Sequence, residues 1–233
     1  MTLLYDAFST RRLAVEVNLW PEVEKFDQDA LSNLYAALNA DAPEGTTLTS
    51  CELRPETGAR FESDAWTYDL SPAGVFMRCV NIRTLEDTTR RMLELLDKTR
   101  PHLTPHERRK ASHAFYTDEI RILIFVPEGG KRNIPQLVSN KLLKRGTDRS
   151  DLPGLEGAGL SLTGNTEDYH WHADINNAVG SSDSLLLNAS LLFMPNPEPP
   201  RPGPDLEAIE AQIGTSCAFA TEHLLAFSGK FIS

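Results

Sequence analysis

The sequence predicts an α+β protein made of two similar halves, each with the order strand, helix, three strands, helix. Two observations predict this class. Apolar residues switch repeatedly between a two-residue and a helical period, and the same order occurs in residues 13–99 and in residues 119–227. We therefore expect antiparallel-rich sheets packed with helices, divided into a first half (1–99), a joining helix or linker (100–118) and a second half (119–233).

A strand and a helix open the first half. Leu13, Val15 and Val17 alternate with mostly more polar residues, which is the two-residue period of a half-buried strand, and Pro21 ends it. Apolar residues then recur at helical spacing from about Asp29 until a run of turn-forming residues.

A meander and a second helix complete this half. Three β-prone stretches separated by turn sequences are predicted near 46–54, 61–70 and 74–82. Thr84 stands three residues before Asp87, as in a capping box, and an apolar helical stripe follows. We predict a helix from this point to about residue 99.

The joint and the start of the second half come next. Thr104 followed by Pro105 is a good pair for a helix start, so the sequence predicts a further, exposed helix within 101–115. An apolar run at 120–126 is typical of a central strand, and Asn133 then precedes another helical pattern.

The rest of the second half repeats the meander and ends in a long helix. Strands are predicted near 159–163, 168–175 and 184–194. The proline-rich connector 195–205 favours an extended chain. Apolar residues then keep helical spacing from Leu206 to Phe227, with Gly214 as the one interruption.

Bulk composition is that of an ordinary globular protein. The 233 residues are 40% hydrophobic and 24% charged. No run reaches the ~18 apolar residues of a membrane span, and the apolar stretch in the first residues is too short for a signal peptide. Cys51, Cys79 and Cys217 show no paired spacing, which favours thiols in a reducing cytoplasm. We expect a cytoplasmic protein with buried, inert cysteines and no membrane partner.

The net charge of −10 disfavours nucleic-acid binding, because it repels phosphate backbones at long range. Short basic groups with acidic neighbours occur at Arg11-Arg12, Arg90-Arg91, Arg108 to Lys110, Lys131-Arg132 and Lys144-Arg145. We interpret them as solvated helix and loop surface. A nucleic-acid-associated regulator stays open as an alternative function.

The strongest candidate for chemistry is one predicted strand. A strand places His170, His172 and Asp174 on the same face, and two imidazoles with a carboxylate could hold one divalent metal ion. The spacing after Gly164 is similar to the first motif of the cupin family, although the glutamate of that motif and a second motif are missing. Ligand sets normally draw on several elements, so we favour an exposed polar face and keep a metal-dependent enzyme as the alternative.

Other candidate motifs are incomplete. His102, His106 and His113 fall in the joint, where basic neighbours favour a surface helix over a cation site. The run from Gly129 to Lys131 lacks the rest of a phosphate-binding loop, and no nucleophile elbow occurs. We therefore assign no catalytic or cofactor-binding residue.

Three segments carry a resemblance: Ala14–Leu19, Leu185–Phe193 and His223–Ile232. Together with the element order, they resemble a sporadically distributed family of uncharacterised bacterial α+β proteins of about this length. The resemblance implies the same architecture and a bacterial cytoplasmic setting. It implies no active-site residue, and an acidic position usual in the family's late strand is Asn188 here.

Taken together, these observations favour a non-enzymatic protein-binding or assembly module without a cofactor. Two stacked sheet-and-helix units leave sheet edges and a final amphipathic helix available for contacts. The expected partner is another protein or a second copy of the chain.

Overall fold

The computed structural model describes residues 12–18, 26–54, 57–80, 82, 84–103, 113–117, 159–177, 185–193 and 206–232. In chain order they form β1 (Arg12–Asn18), α1 (Gln28–Asn39), β2 (Ser50–Arg54), β3 (Gly58–Glu62), β4 (Trp66–Ser71), β5 (Gly74–Val80), α2 (Leu85–Leu103), β6 (His113–Thr117), β7 (Leu160–Asn165), β8 (Tyr169–Asn177), β9 (Leu185–Phe193), α3 (Leu206–Ala218), a π-helical segment (Phe219–Leu224) and α4 (Leu225–Ile232). The predicted α+β class is confirmed.

The described strands form one antiparallel sheet in the order β2-β3-β4-β5-β1-β6-β9-β8-β7. The opening strand of the first half, β1, pairs with the last strand of its meander, β5. The strand β6, which lies in the predicted joining segment 100–118, pairs in the same way with β9, and β1 and β6 pair with each other in the middle. The halves therefore share a single sheet instead of stacking two, and a common origin of the halves stays a prediction.

One inward row of side chains shows how the core is built. Four fully buried residues lie side by side on neighbouring strands, each paired with the next: Phe61, Tyr68, Met77 and Val15. The same row continues beyond β6 through Leu191 to β8. Burying such alternating apolar side chains under helices is the main favourable term in folding.

Three helices cover this inward face. The helix α1 contacts β2 and β3, α3 contacts β6 and β9, and α2 contacts both α1 and α3. The start of α2 has the predicted variant of a capping box: Thr84 Oγ1 accepts the Asp87 N–H at 3.1 Å and donates to the Asp87 carboxylate at 2.7 Å. Within the described residues, no helix is long and apolar enough to cross a membrane.

A buried arginine fastens α1 to α2. Arg91 is 2% exposed, donates from Nη2 to the Leu38 carbonyl at 2.8 Å, and pairs through Nη1 with Glu94 at 2.9 Å. A cation at the last carbonyls of α1 also complements that helix's dipole. The interpretation of Arg90-Arg91 as solvated surface is therefore wrong for Arg91.

Two element predictions need correction. The stretch expected as one strand at 61–70 belongs to β3 and β4, with a turn after Glu62, so the first meander has four strands. The helix expected within 101–115 is also wrong at its end, because α2 continues to Leu103 and residues 113–117 form β6. The predicted strand at 120–126, the helix after Asn133 and the connector 195–205 lie outside the described residues.

The last helix is interrupted, but at another place than the sequence predicts. Gly214 lies inside α3, in open space, without breaking it. The helical ladder changes to π geometry at Phe219–Leu224 and returns to α geometry in α4. Inward packing of Phe219, Ala220 and Leu224 against the sheet accompanies this change, and all three are buried.

Candidate functional site

Strand β8 separates a polar face from an apolar one, as its sequence predicts. Tyr169 and Trp171 pack against the core, and Ala173 is fully buried. The side chains of His172 and Asp174, which point to the opposite face, are 47% and 31% exposed. The period of two in this strand therefore determines which side chains are available to solvent.

The polar residues of β8 are bonded in two separate groups. His172 Nε2 lies 3.1 Å from Asp174 Oδ2 and 3.5 Å from Ser161 Oγ on β7. His170 instead has its Nδ1 2.5 Å from Asn165 Oδ1, across the β7–β8 hairpin. The structure thus brings His172 and Asp174 together and leaves His170 apart from them.

Strand geometry explains this separation. A strand advances about 3.3 Å per residue, so His170 and Asp174 are about 13 Å apart along β8 and cannot both reach one ion. Among the residues that the structure describes, no three His, Cys, Asp or Glu side chains are grouped to hold a metal. The metal alternative stays a prediction, and only its His172–Asp174 part has the proximity it requires.

In the first half, the same outer face carries a network of ion pairs. Arg54 and Arg60 both approach Asp69, with Nη1–Oδ distances of 3.5 and 3.9 Å. Each arginine also pairs with a glutamate two residues away on its own strand, Arg54 with Glu52 at 3.2 Å and Arg60 with Glu62 at 2.6 Å. Sequence reasoning missed this network, although the i, i+2 spacing of opposite charges on neighbouring strands was a usable signal.

The electrostatics of this network favour its charged forms. A hydrogen bond from Arg54 and its positive charge lower the pKa of Glu52. Hydrogen bonds to the two glutamates raise the pKa values of Arg54 and Arg60 above their ordinary value. Exposed pairs of this kind add little stability. They do leave the face with paired charges of both signs.

The π-helical segment packs directly behind the polar strand. The ring of Phe219 lies 5.2 Å from Trp171, 6.4 Å from Tyr169 and 6.1 Å from His223, measured between ring centroids. Such aromatic contacts fix the backbone that carries His172. The histidines of β8 are therefore displayed from a packed strand and not from a loop.

The other candidate residues lie elsewhere. His102 is in the last turn of α2, where burial lowers its pKa, and His113 belongs to β6 instead of a surface helix. Cys79 is buried, which raises the pKa of its thiol to about 11 and keeps it inert. Cys51 is exposed, so the expectation of a buried thiol is wrong there. His106 and the run from Gly129 lie outside the described residues.

Comparison with known proteins returned no match: no family model, no curated protein and no solved structure is similar to the chain. The resemblance drawn from the three sequence segments therefore stays a prediction.

Proposed function

We propose that the protein is a non-enzymatic protein-binding or assembly module of a bacterial cytoplasm, and that it self-associates. The observation that carries this proposal is the two-sided sheet. Helices cover the inward face, and α1 also contacts β2, whereas among the described strands β2 and β7 each pair with only one neighbour. Edge strands with unpaired backbone groups are a common means of protein recognition.

The chemistry of the outer face supports recognition over catalysis. Its polar groups are largely paired with one another, as in the bonds of His172 with Asp174 and of Arg54 with Asp69. Leu192, which is 37% exposed and is the β9 partner of His170, adds an apolar spot to this face. Paired charges next to exposed apolar surface are typical of the polar parts of protein interfaces.

The test is the mass of the native protein. Light scattering coupled to size exclusion should give a multiple of the chain's 25.9 kDa mass, or a complex of fixed stoichiometry with another protein. A mass that is a multiple of one chain identifies self-association, and any other mass identifies a second protein. A dilution series then shows whether the assembly is reversible. A mass of one chain at every concentration, with no protein bound in fixed ratio, would contradict the proposal.

The second candidate function is a metal-dependent enzyme, and the observation that favours it is the contact between His172 and Asp174. Elemental analysis of purified protein decides between the two. The proposed module should carry no metal in stoichiometric amount. Metal near one equivalent, lost in His172→Ala and kept in the matched control His170→Ala, would favour the second candidate.

A further inference from the structure

We infer that β7 is the seam at which a second copy of the chain binds, strand against strand across a two-fold axis. The inference rests on the proposed self-association and names its surface. The antiparallel sheets of the two copies, each of nine described strands, would then form one continuous sheet with the two β7 strands adjacent at its middle. An interface of this type is isologous, because the same strand acts on both sides.

The register of the β7–β8 hairpin shows which backbone groups of β7 point away from β8, its one neighbour among the described strands. The Thr166 N–H donates to the Tyr169 carbonyl at 2.9 Å, which makes these two residues a hydrogen-bonded pair. Hydrogen-bonded and non-bonded pairs alternate in antiparallel ladders. The pair of Thr163 with His172 and the pair of Ser161 with Asp174 are then non-bonded.

Residues in non-bonded pairs direct their N–H and C=O groups away from the partner strand. Ser161 and Thr163 therefore present backbone donors and acceptors at the outer edge of β7, at a spacing of two residues. A second antiparallel strand needs this spacing for its own ladder. The same kind of pairing already joins the halves of this chain, between β1 and β6.

The side chains of β7 allow a second copy to approach. No residue of Leu160–Asn165 is charged, so antiparallel pairing in any register brings no like charges of β7 together. Proteins usually protect exposed edges with charges, proline or bulges. The opposite edge has such protection: Glu52 on β2 is 65% exposed and paired with Arg54. The contrast indicates β7 as the joining edge.

The inward face of β7 also gains from pairing. Leu160 and Leu162 pack against the core but are only partly buried, because β7 is the last described strand on this side. Trp171 covers Gly164 so closely that an added Cβ would lie 2.5 Å from its ring. A neighbouring strand would complete the burial of this apolar margin, which is favourable in proportion to the area removed from water.

The test uses two substitutions on β7 of the full chain. Thr163→Lys puts a charge of each copy at the seam, and Ser161→Pro removes an outward N–H without removing a ladder bond to β8. Each should weaken self-association by about a hundredfold or more, because like charges or lost ladder bonds at an interface are costly. Thr47→Lys, at an exposed loop position between α1 and β2, is the matched control and should leave the mass unchanged.

Sedimentation equilibrium measures the association, and circular dichroism checks that each variant is folded. A folded Thr163→Lys protein that associates as tightly as the unsubstituted chain overturns the seam while leaving the proposed function intact. An unsubstituted chain that never self-associates overturns the seam and the proposed self-association, whereas a fixed complex with another protein would still support a protein-binding module. Hydrogen exchange gives a readout without substitution: the amides of Ser161 and Thr163 should exchange more slowly as concentration rises, and concentration-independent exchange refutes the seam.

Discussion

The hydrogen bond between Tyr68 and Thr99 joins the sheet to α2 inside the core. Both residues are 0% exposed, and their hydroxyl oxygens are 2.7 Å apart. Thr99 Oγ1 also lies 2.6 Å from the Leu95 carbonyl, to which it donates its single proton. Tyr68 is therefore the donor in the bond between the hydroxyls. Burial raises the pKa of Tyr68 and keeps the phenol protonated.

The direction of donation predicts unequal losses. Tyr68→Phe removes a donor and leaves Thr99 bonded to Leu95, so it should lower the free energy of unfolding by about 1 kcal/mol. Thr99→Val leaves the buried Tyr68 hydroxyl without an acceptor, which costs about 1 to 3 kcal/mol. The double variant removes both groups, so its loss should be smaller than the sum of the single losses.

Urea unfolding followed by circular dichroism and tryptophan fluorescence measures these changes, with an unchanged m-value as the sign of a pure stability effect. Tyr35→Phe is the matched control, because the Tyr35 hydroxyl donates to the Leu48 carbonyl at 2.9 Å in a part-buried site. This substitution should lower the free energy of unfolding by less than Tyr68→Phe does. A loss for Thr99→Val no larger than that for Tyr68→Phe, or strictly additive losses, would refute the assigned direction of the bond.

Three further predictions concern stability. Leu224→Asp places a carboxylate where the side chain is 3% exposed and should lower the free energy of unfolding by several kcal/mol. An unchanged melting temperature would mean that the π-helical segment is not packed against the sheet. Gly58→Ala should lower the free energy of unfolding by more than about 1 kcal/mol, because φ is +119° and a Cβ would lie 1.9 Å from a β4 carbonyl oxygen. Gly214→Ala, in open space within α3, should instead raise the free energy of unfolding. Equal effects of the two substitutions would contradict this prediction. Burial would raise the pKa of Glu94, but the hydrogen bond from Lys98 and other basic contacts lower it overall. Ionised Glu94 therefore stabilises the fold above its ordinary pKa of 4.5, and this stabilisation is lost as pH falls through the lower pKa of the folded state. Glu94→Gln should make the free energy of unfolding fall less steeply on acidification, and an unchanged acid dependence would exclude the contribution.

Much of the local structure follows from residue patterns. The alternation around Val15 predicts β1, the Thr84 capping box predicts the start of α2, and the period of two in β8 predicts that His172 and Asp174 share an exposed face. These features depend on neighbours within a few residues, so the sequence contains them directly.

The functional arrangement depended on contacts distant in the chain. A helix was predicted within 101–115 because Thr104 and Pro105 resemble a helix start, yet residues 113–117 form β6, which lies between β1 and β9. Arg91 was predicted to be solvated, and it is buried because the end of α1 supplies carbonyl acceptors. Tertiary context overrides local preference at such positions.

The sequence by itself determined which residues are helical or extended over most described elements and which side of each strand is apolar. The tertiary structure decided which strands are neighbours, that both halves share one sheet, and that β2 and β7 are its edges. It also decided that His170 and Asp174 belong to different bonded groups. The physical reason is range: periodicity is set by adjacent residues, whereas strand pairing is set by contacts between segments far apart in the chain.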